Sequence, residues 1–214
     1  TIGAGDTGIF FSPDNDNIIP VTATTSATRD NAIDLGSSSG RFKDLFLSAS
    51  LRLTDSSNTH KYSITSLSSD ALQFYDTTAN AERMRIDSSG NVLVGKTSSA
   101  TNTVGIEIDG ANGVGVFTRD GNAAIEVNRK TSDGTIINLR KDGSTVGGIG
   151  AKAGDFVVGS SSGSDAAFRM DGTNNQIYAS DTTGAARDNA INLGASTVRW
   201  KDLYLSGGVY VGGT

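Results

Sequence analysis

The chain is poor in the residues that build most chemical sites. Its 214 residues include no cysteine, one histidine and two prolines, and the lack of cysteine excludes a disulfide bond or a thiolate metal site. The single His60 lies in a polar stretch and is expected to be an exposed loop residue, because a metal centre needs several ligands. No apolar run is long enough for a membrane-spanning helix. The sequence therefore predicts no cofactor, no metal and no insertion into a membrane.

Charge and helix-forming residues are also scarce. The net charge is −5, and the Lys and Arg residues are scattered, which argues against nucleic acid as a partner. Asp outnumbers Glu by 20 to 3, and 27 residues are glycine. Asp and Gly favour turns, whereas Glu favours helices. Only 48 residues are Leu, Ile, Val or Phe, so a large core is not expected. The composition predicts an all-β fold of short strands and tight turns.

One short stretch matches a nucleotide-binding pattern. GNVLVGKT at residues 90–97 fits the phosphate-binding pattern G-x-x-x-x-G-K-[ST]. Such a loop opens a helix whose positive end faces the phosphates. Here the intervening residues are mostly strand formers, a DSSG turn cluster precedes them, and no helical apolar spacing follows Thr97. The context predicts a strand–turn–strand hairpin in which Lys96 and Thr97 lie at a strand end and touch no phosphate.

Two other motifs fall short of a ligand site. GIGAKAG at residues 148–154 lacks the spacing, the strand and the helix of the dinucleotide-binding fingerprint. DNDN at residues 14–17 suggests a calcium loop, but the twelfth position from Asp14 is Thr25, where such a loop carries a glutamate. Neither motif is expected to bind its ligand.

A long repeat is the most informative feature of the sequence. ATRDNAIDLGSSSGRFKDLFLS begins at Ala27, and AARDNAINLGASTVRWKDLYLS begins at Ala185, so the offset is 158. An ungapped extension at the same offset places FFSPDNDNIIP from Phe10 over FRMDGTNNQIY from Phe168. The hairpin RIDSSGNVLV also lies over RMDGTNNQIY, at an offset of 84. Gly36 and Gly194, which follow Leu in both copies, are expected to adopt a positive φ.

The end of each copy alternates strictly between apolar and other residues. Alternation with a period of two predicts a strand with one face in a core. The residues expected to form that core are Leu45, Leu47, Leu51 and Leu53 in the first copy and Leu203, Leu205, Val209 and Val211 in the second. Tyr204 and Tyr210 lie on the opposite face. They, with Trp200, are expected to pack, although stacking against a receptor sugar is an alternative for them.

The repeat divides the chain into four modules. We expect a first fibre repeat at 1–54, a hairpin linker module at 55–103, a Gly-rich β-strand module at 104–162 and a second fibre repeat at 163–214. Two copies so far apart, with few large apolar residues, suggest an elongated chain that cannot bury a sufficient core alone. Three identical chains around a threefold axis would supply that core and close the open strand edges. The expected fold is therefore an elongated, repetitive all-β fibre, an intertwined homotrimer that is β-helix- or β-prism-like.

These residues resemble a known family. RDNAIDLGSSSGRFKDLFLS and RDNAINLGASTVRWKDLYLSGGVYVGGT are similar to modules of tail fibre proteins from tailed bacteriophages. ERMRIDSSGNVLVGKT resembles the segment that stands upstream of a C-terminal self-cleaving chaperone domain in many such fibres. The resemblance implies a trimeric virion appendage outside the cell, joined to the remainder of the tail fibre, that attaches to a host surface glycan or protein receptor. The chain begins at Thr1 without a start methionine, so we expect it to be a piece of a longer protein, and whether it includes the receptor-choosing tip stays open at this stage.

Two alternative functions remain open at this stage. A polysaccharide-cleaving tailspike needs two acidic side chains around a glycosidic bond. Most Asp residues here occupy turn contexts, and Glu82, Glu107 and Glu126 lie in strand-like alternation, so catalysis is not expected. A trimeric bacterial adhesin, or the fibre of a contractile injection system, would have the same physical pattern.

Overall fold

The structure is a computed structural model that describes residues 2–12, 17–29, 32–55, 57, 61–161 and 165–212. Within these ranges the chain forms fifteen β-strands and no helix, and all of the strand pairs are antiparallel. The predicted all-β class is therefore confirmed. The chain divides into two compact units, Thr1–Ala124 and Ile125–Thr214.

The first unit contains two sheets. The smaller sheet has the order β1-β2-β3, and the larger sheet runs from β4 to β10 with every strand beside its sequence neighbour. The strands are β1 (Ile2–Ala4), β2 (Thr7–Ser12), β3 (Asn17–Val21), β4 (Ser50–Thr54), β5 (Lys61–Ser66), β6 (Leu72–Asp76), β7 (Ala81–Ile86), β8 (Val92–Val94), β9 (Gly105–Asp109) and β10 (Val114–Thr118).

The second unit contains one five-stranded sheet with the order β11-β12-β13-β14-β15. Its strands are β11 (Gly134–Lys141), β12 (Ser144–Lys152), β13 (Asp155–Ser160), β14 (Ala166–Asp171) and β15 (Gln176–Ser180). All three sheets are meanders, because each strand pairs with its neighbours in the sequence.

Aspartate side chains hold many of these turns. In the loop between β9 and β10, Asp109 accepts hydrogen bonds from the backbone of Ala111 and Asn112 at 2.9 Å and from the Asn112 side chain at 2.8 Å. Asp171 and Asn174 make the same bonds between β14 and β15. A carboxylate that binds the backbone two and three residues ahead replaces a strand ladder by a turn. The abundance of Asp therefore has a structural cause.

The core of the described chain is very small. Its buried hydrophobic residues are only Val21, Ala71, Leu93, Val157 and Ala167. Each strand contacts only the strands beside it in its own sheet, so within the described residues no strand packs across the face of another sheet. Each sheet is therefore a single layer, whereas stable domains usually pack at least two layers around a core.

The two long repeats share one local structure, with a shift that the ungapped alignment misses. Gly8 pairs with Val21 in the first copy, and Ala167 pairs with Ser180 in the second, so the hairpins correspond at an offset of 159 rather than 158. The extra residue lies in the turn after β3, which closes from Thr22 to Ala27, whereas the second turn closes from Asp181 to Ala185. The ungapped extension is therefore wrong by one residue, and such a slip exchanges the two faces of a strand.

The predicted strands at the ends of the repeats are largely wrong. Only Ser50–Thr54 is a strand, so Leu51 and Leu53 lie in β4, whereas Leu45 and Leu47 precede it and residues 203–212 contain no strand. A strand needs a neighbour for its N–H and C=O groups, and no described residue pairs with these two segments. The predicted conformation at Gly36 and Gly194 is confirmed, with φ of 91° and 93°.

The sheets do not follow the module boundaries drawn from the repeat. The boundary at 54 separates β4 from its partner β5, and the boundary at 103 separates β8 from its partner β9. The four modules stay a prediction about sequence units. In the structure, the paired strands group into the three sheets instead.

Candidate functional site

The most unusual surface is one face of the seven-stranded sheet. A row of directly paired apolar residues crosses all seven strands, and a second row crosses four of them. The first row is Leu51, Ile64, Phe74, Met84, Val94, Ile106 and Phe117, and the second is Leu72, Ile86, Val92 and Ile108. Seven of these eleven side chains are exposed, and the others are half-buried. We call this surface the open face.

The opposite face of the same sheet is polar but closed. Its central row is Gln73, Arg85, Leu93, Glu107 and Val116. Leu93 is fully buried there, and Glu107 is buried beside it. This inverts the usual arrangement, in which the apolar side of a sheet is covered and the polar side is wet.

A buried ion pair holds the closed face. The Lys96 side chain is 0% exposed, and its Nζ donates to Glu107 Oε2 at 2.8 Å and to the Ala100 carbonyl at 2.6 Å. Ser99 Oγ donates to the other oxygen of Glu107. The hydrogen bonds from Lys96 and Ser99 hold the pKa of Glu107 below its ordinary value of 4.5. The segment from Lys96 to Ala100 is thereby fastened against the edge of this face.

The structure shows that GNVLVGKT belongs to a β-hairpin. β7 and β8 pair as a hairpin across the Asp87–Asn91 turn, so the predicted strand–turn–strand unit is confirmed. A phosphate-binding lysine must reach its ligand, but the hydrogen bonds of Lys96 go to Glu107 and Ala100. Lys96 is therefore a buried structural cation. GIGAKAG likewise forms the end of β12 and its turn into β13 rather than a loop before a helix.

The five-stranded sheet has the same two-faced design. Its open face carries one row across five strands and a second row of four residues. These are Ile137, Ile149, Val158, Phe168 and Ala179, then Ala151, Phe156, Met170 and Ile177. On its closed face, Arg169 bonds Asp155 at 2.8 Å and the Gly184 carbonyl at 3.1 Å, and its guanidinium lies over the Tyr178 ring.

Gly184 belongs to the loop that covers this closed face. A Cβ atom at Gly184 would lie 2.5 Å from Lys152 Cβ and 3.1 Å from Val157 Cγ2, so only glycine allows this close approach. In the three-stranded sheet, Ile2, Ile9, Phe11 and Ile18 are likewise exposed on one face, while Val21 is fully buried on the other. All three sheets therefore leave an apolar face open.

The two long repeats also share an apolar groove. In the second copy a cavity of about 510 Å³ lies between Phe168 on β14 and the segment that contains Leu193, Gly194, Trp200 and Leu203. In the first copy a cavity of about 360 Å³ lies beside the corresponding residues, Ile9, Leu35, Gly36 and Phe42. We call these the Trp200 groove and the Phe42 groove. Ile9 and Phe168 belong to the open faces, so each groove continues an open face.

The predicted site residues are all exposed in the single chain. Six of the eight predicted core residues lie outside the strands, and Leu51 and Leu53 lie on one face of β4. Leu51 belongs to the open face, but its partners there were not foreseen. Tyr204 and Tyr210 are 89% and 99% exposed. His60 and the first residues of the DNDN motif lie outside the described residues.

Two of the three glutamates considered for hydrolysis, Glu82 and Glu107, have structural partners. Glu82 forms an ion pair with Arg85 and accepts from Gln73, and these bonds lower its pKa, as Lys96 and Ser99 lower that of Glu107. A general acid for glycoside cleavage needs a raised pKa instead. Glu126 is exposed and lies outside the strands.

The described residues carry few larger features that would indicate a function. In the described ranges no helix has the length and apolar character to cross a bilayer. Nor do His, Cys, Asp or Glu residues gather in groups of three that could hold a metal ion, as far as the chain is described. A comparison with protein-family models, curated proteins and solved structures gives no match. The resemblance to tail fibre modules therefore stays a prediction from the residues.

Proposed function

We propose that the chain is a structural and adhesive segment of a bacteriophage tail fibre, which attaches the virion to the host surface without catalysis. The observation that carries the proposal is the open apolar face of all three sheets. An exposed apolar surface of this extent marks an interaction site, because leaving it in water is unfavourable.

The size of the open face fits a stable protein interface. On the seven-stranded sheet, the exposed parts of the aligned side chains amount to roughly 600–800 Å², if a large side chain has about 150–200 Å² to expose. A standard interface buries about 800 Å² per partner, and the largest apolar patch on an ordinary monomer is about 300–600 Å². The face therefore has the area that an assembly needs.

Further copies of the same chain are the partners that fit best. The open face recurs on three sheets of one chain, and identical chains in register would bring each face against its own equivalents. A face-to-face pair would cover the faces but leave the edge strands β4, β10, β11 and β15 unpaired. Three sheets arranged as a prism enclose the faces and place each edge beside an edge of the next copy. We therefore favour a homotrimer whose core is formed mainly by the open faces, with Leu51 and Leu53 among its residues.

Attachment follows from what such a prism would present to solvent. With the open faces turned inward, the outer surface carries the Asp-held turns and the polar closed faces. Such a surface offers hydrogen bonds to a glycan or a protein receptor, and we expect each chain to bind with roughly millimolar affinity, about 4 kcal/mol. Three copies on one stalk raise the apparent affinity by roughly a hundredfold or more when the receptors can be reached together.

The test is adsorption to bacterial cells and their purified surface polysaccharides across a panel of strains. We expect the labelled assembly to be retained by some strains, and the assembly-deficient variant Ile106→Asp to be retained roughly a hundredfold less. The polysaccharide should keep its length. Progressive release of short oligosaccharides would replace the attachment proposal with a tailspike, and equal retention of both proteins would contradict the multivalent mechanism.

A further inference from the structure

The two grooves are each followed by an aromatic side chain with nothing to cover it. Four residues after Phe42 comes Phe46, which is 91% exposed, and four residues after Trp200 comes Tyr204, which is 89% exposed. Both lie in segments without strand pairing. A large aromatic side chain left in water is a typical anchor of a protein interface, where it fills a pocket on the partner.

Tyr204 does not fill its own groove. Leu203, the residue before it, is part of the wall of the Trp200 groove, whereas Tyr204 is almost wholly exposed. To enter that groove within one chain, Tyr204 would have to displace Leu203. The same neighbouring groove on a second copy is not subject to this restriction.

Each groove is large enough to hold the aromatic side chain of its own repeat. The Trp200 groove is the larger, at about 510 Å³, and Arg199 and Asp202 line it beside its apolar residues. Its repeat carries Tyr204, which has a hydroxyl that can bond such groups. The Phe42 groove is smaller, at about 360 Å³, and Asp34 lines it beside apolar residues such as Ile19 and Ile33. Its repeat carries Phe46, which has no hydroxyl.

We propose that Tyr204 of one copy inserts into the Trp200 groove of the neighbouring copy, and that Phe46 inserts into the neighbouring Phe42 groove in the same way. This inference rests on the proposed self-assembly and identifies a contact that holds it. In the proposed trimer each copy gives its Tyr204 to the next copy and receives that of the previous one, so the contact is head-to-tail, and such contacts form a closed ring when the rotation between copies closes. Two aromatic insertions per chain, one in each long repeat, would then fix the register of the copies.

Trp200 is a built-in probe for this contact, because it is the only tryptophan in the chain and is 70% exposed in the single copy. Acrylamide quenching of its fluorescence would be measured on the assembled protein and on the Tyr204→Ala variant. We expect the assembly to be quenched roughly threefold less than a free tryptophan, because aromatic residues at the centre of an interface are desolvated. Tyr204→Ala should restore strong quenching. Tyr210→Ala, which removes an equally exposed ring, should not.

Two results would overturn the inference without touching the proposed function. One is an assembly in which Trp200 is quenched as freely as in a monomer. The other is an assembly in which Trp200 is protected equally with and without Tyr204, which would assign the groove to a different occupant. A protein that never assembles would contradict the proposed function and this contact together.

If Tyr204→Ala dissociates the assembly, a pair of engineered cysteines tests the contact by crosslinking instead. The chain has no cysteine, so Ala195→Cys on the groove wall and Ser206→Cys, at an exposed residue that leaves Tyr204 in place, would provide the only thiols. Mild oxidation of the double variant should give covalently linked chains up to the full assembly on a denaturing gel. Each single variant should stop at linked pairs. Crosslinking of the double variant that does not exceed that of the single variants would overturn the inference.

Discussion

Ile106 lies at the centre of the open face, so a substitution at this residue tests the role of that face most directly. Its side chain is paired with Val94 on one side and Phe117 on the other, and the residue is 40% exposed. Burying an isoleucine fully contributes about 2.5 kcal/mol, so covering the exposed 40% adds about 1 kcal/mol per copy and about 3 kcal/mol per trimer. Ile106→Asp forfeits this contribution and also brings three carboxylates together in an apolar core, at several kcal/mol more. We expect the association constant of the trimer to fall by at least roughly 10⁴.

The assay compares three variants by sedimentation velocity over a range of concentrations. Ile106→Ser removes the same apolar side chain without adding charge, so it should weaken assembly less than Ile106→Asp does. Val127→Asp places the charge on an exposed residue outside the strands and should leave assembly unchanged. Far-UV circular dichroism checks that each chain stays β-folded. An Ile106→Asp protein with the mass and melting midpoint of the parent would refute the assignment of the open face to the core.

Three further predictions follow from individual contacts. Calorimetry with ATP and Mg²⁺ should show no binding tighter than about 100 μM. Lys96→Met should lower the melting midpoint, because it leaves the buried Glu107 without its lysine partner. Tight ATP binding that this variant loses would restore the phosphate-loop interpretation. Folding lowers the pKa of Glu107, so the stabilisation from this carboxylate is present above its ordinary pKa of 4.5 and is lost as the pH falls through and below that value. Thermal melts from pH 7 to pH 3 should show this loss of stability. Glu107→Gln should make the loss smaller. Among the described residues, the buried Ser180 hydroxyl has no hydrogen-bond partner, and it lies at the position that Val21 occupies in the first repeat. Ser180→Val should therefore raise the melting midpoint by roughly 2–4 °C, about 1 kcal/mol; a lower midpoint would argue against the shifted register.

Local chemistry made the hairpins predictable. The turn cluster before Val92 and the Asp-Gly pair at Asp142 both end a strand and begin the next, as their sequences indicate. These turns depend on side-chain bonds to nearby backbone and on positive φ, which a short stretch of sequence determines by itself. The absence of helix follows from the same residues.

The faces and the register could not be obtained in this way. Alternation shows that a strand has two faces, but it does not say which face is covered. The closed face exists because Lys96 reaches Glu107, a pair of residues eleven positions apart whose contact depends on the path of the intervening loop. The single extra residue between Val21 and Ala27 is likewise invisible in an ungapped alignment. Residues 203–212 keep strand-like alternation but pair with no other residue in the described part of the chain, so the pattern alone does not make a strand.

The central claim is that the open faces are covered by further copies of the same chain. Sedimentation equilibrium of the purified protein at micromolar concentration tests it most directly, together with the binding of a dye that fluoresces on exposed apolar surface. Three copies of the 22.0 kDa chain predict a species of about 66 kDa that binds little dye. A stable species of 22.0 kDa at every concentration, with its apolar faces accessible to the dye, would contradict the account.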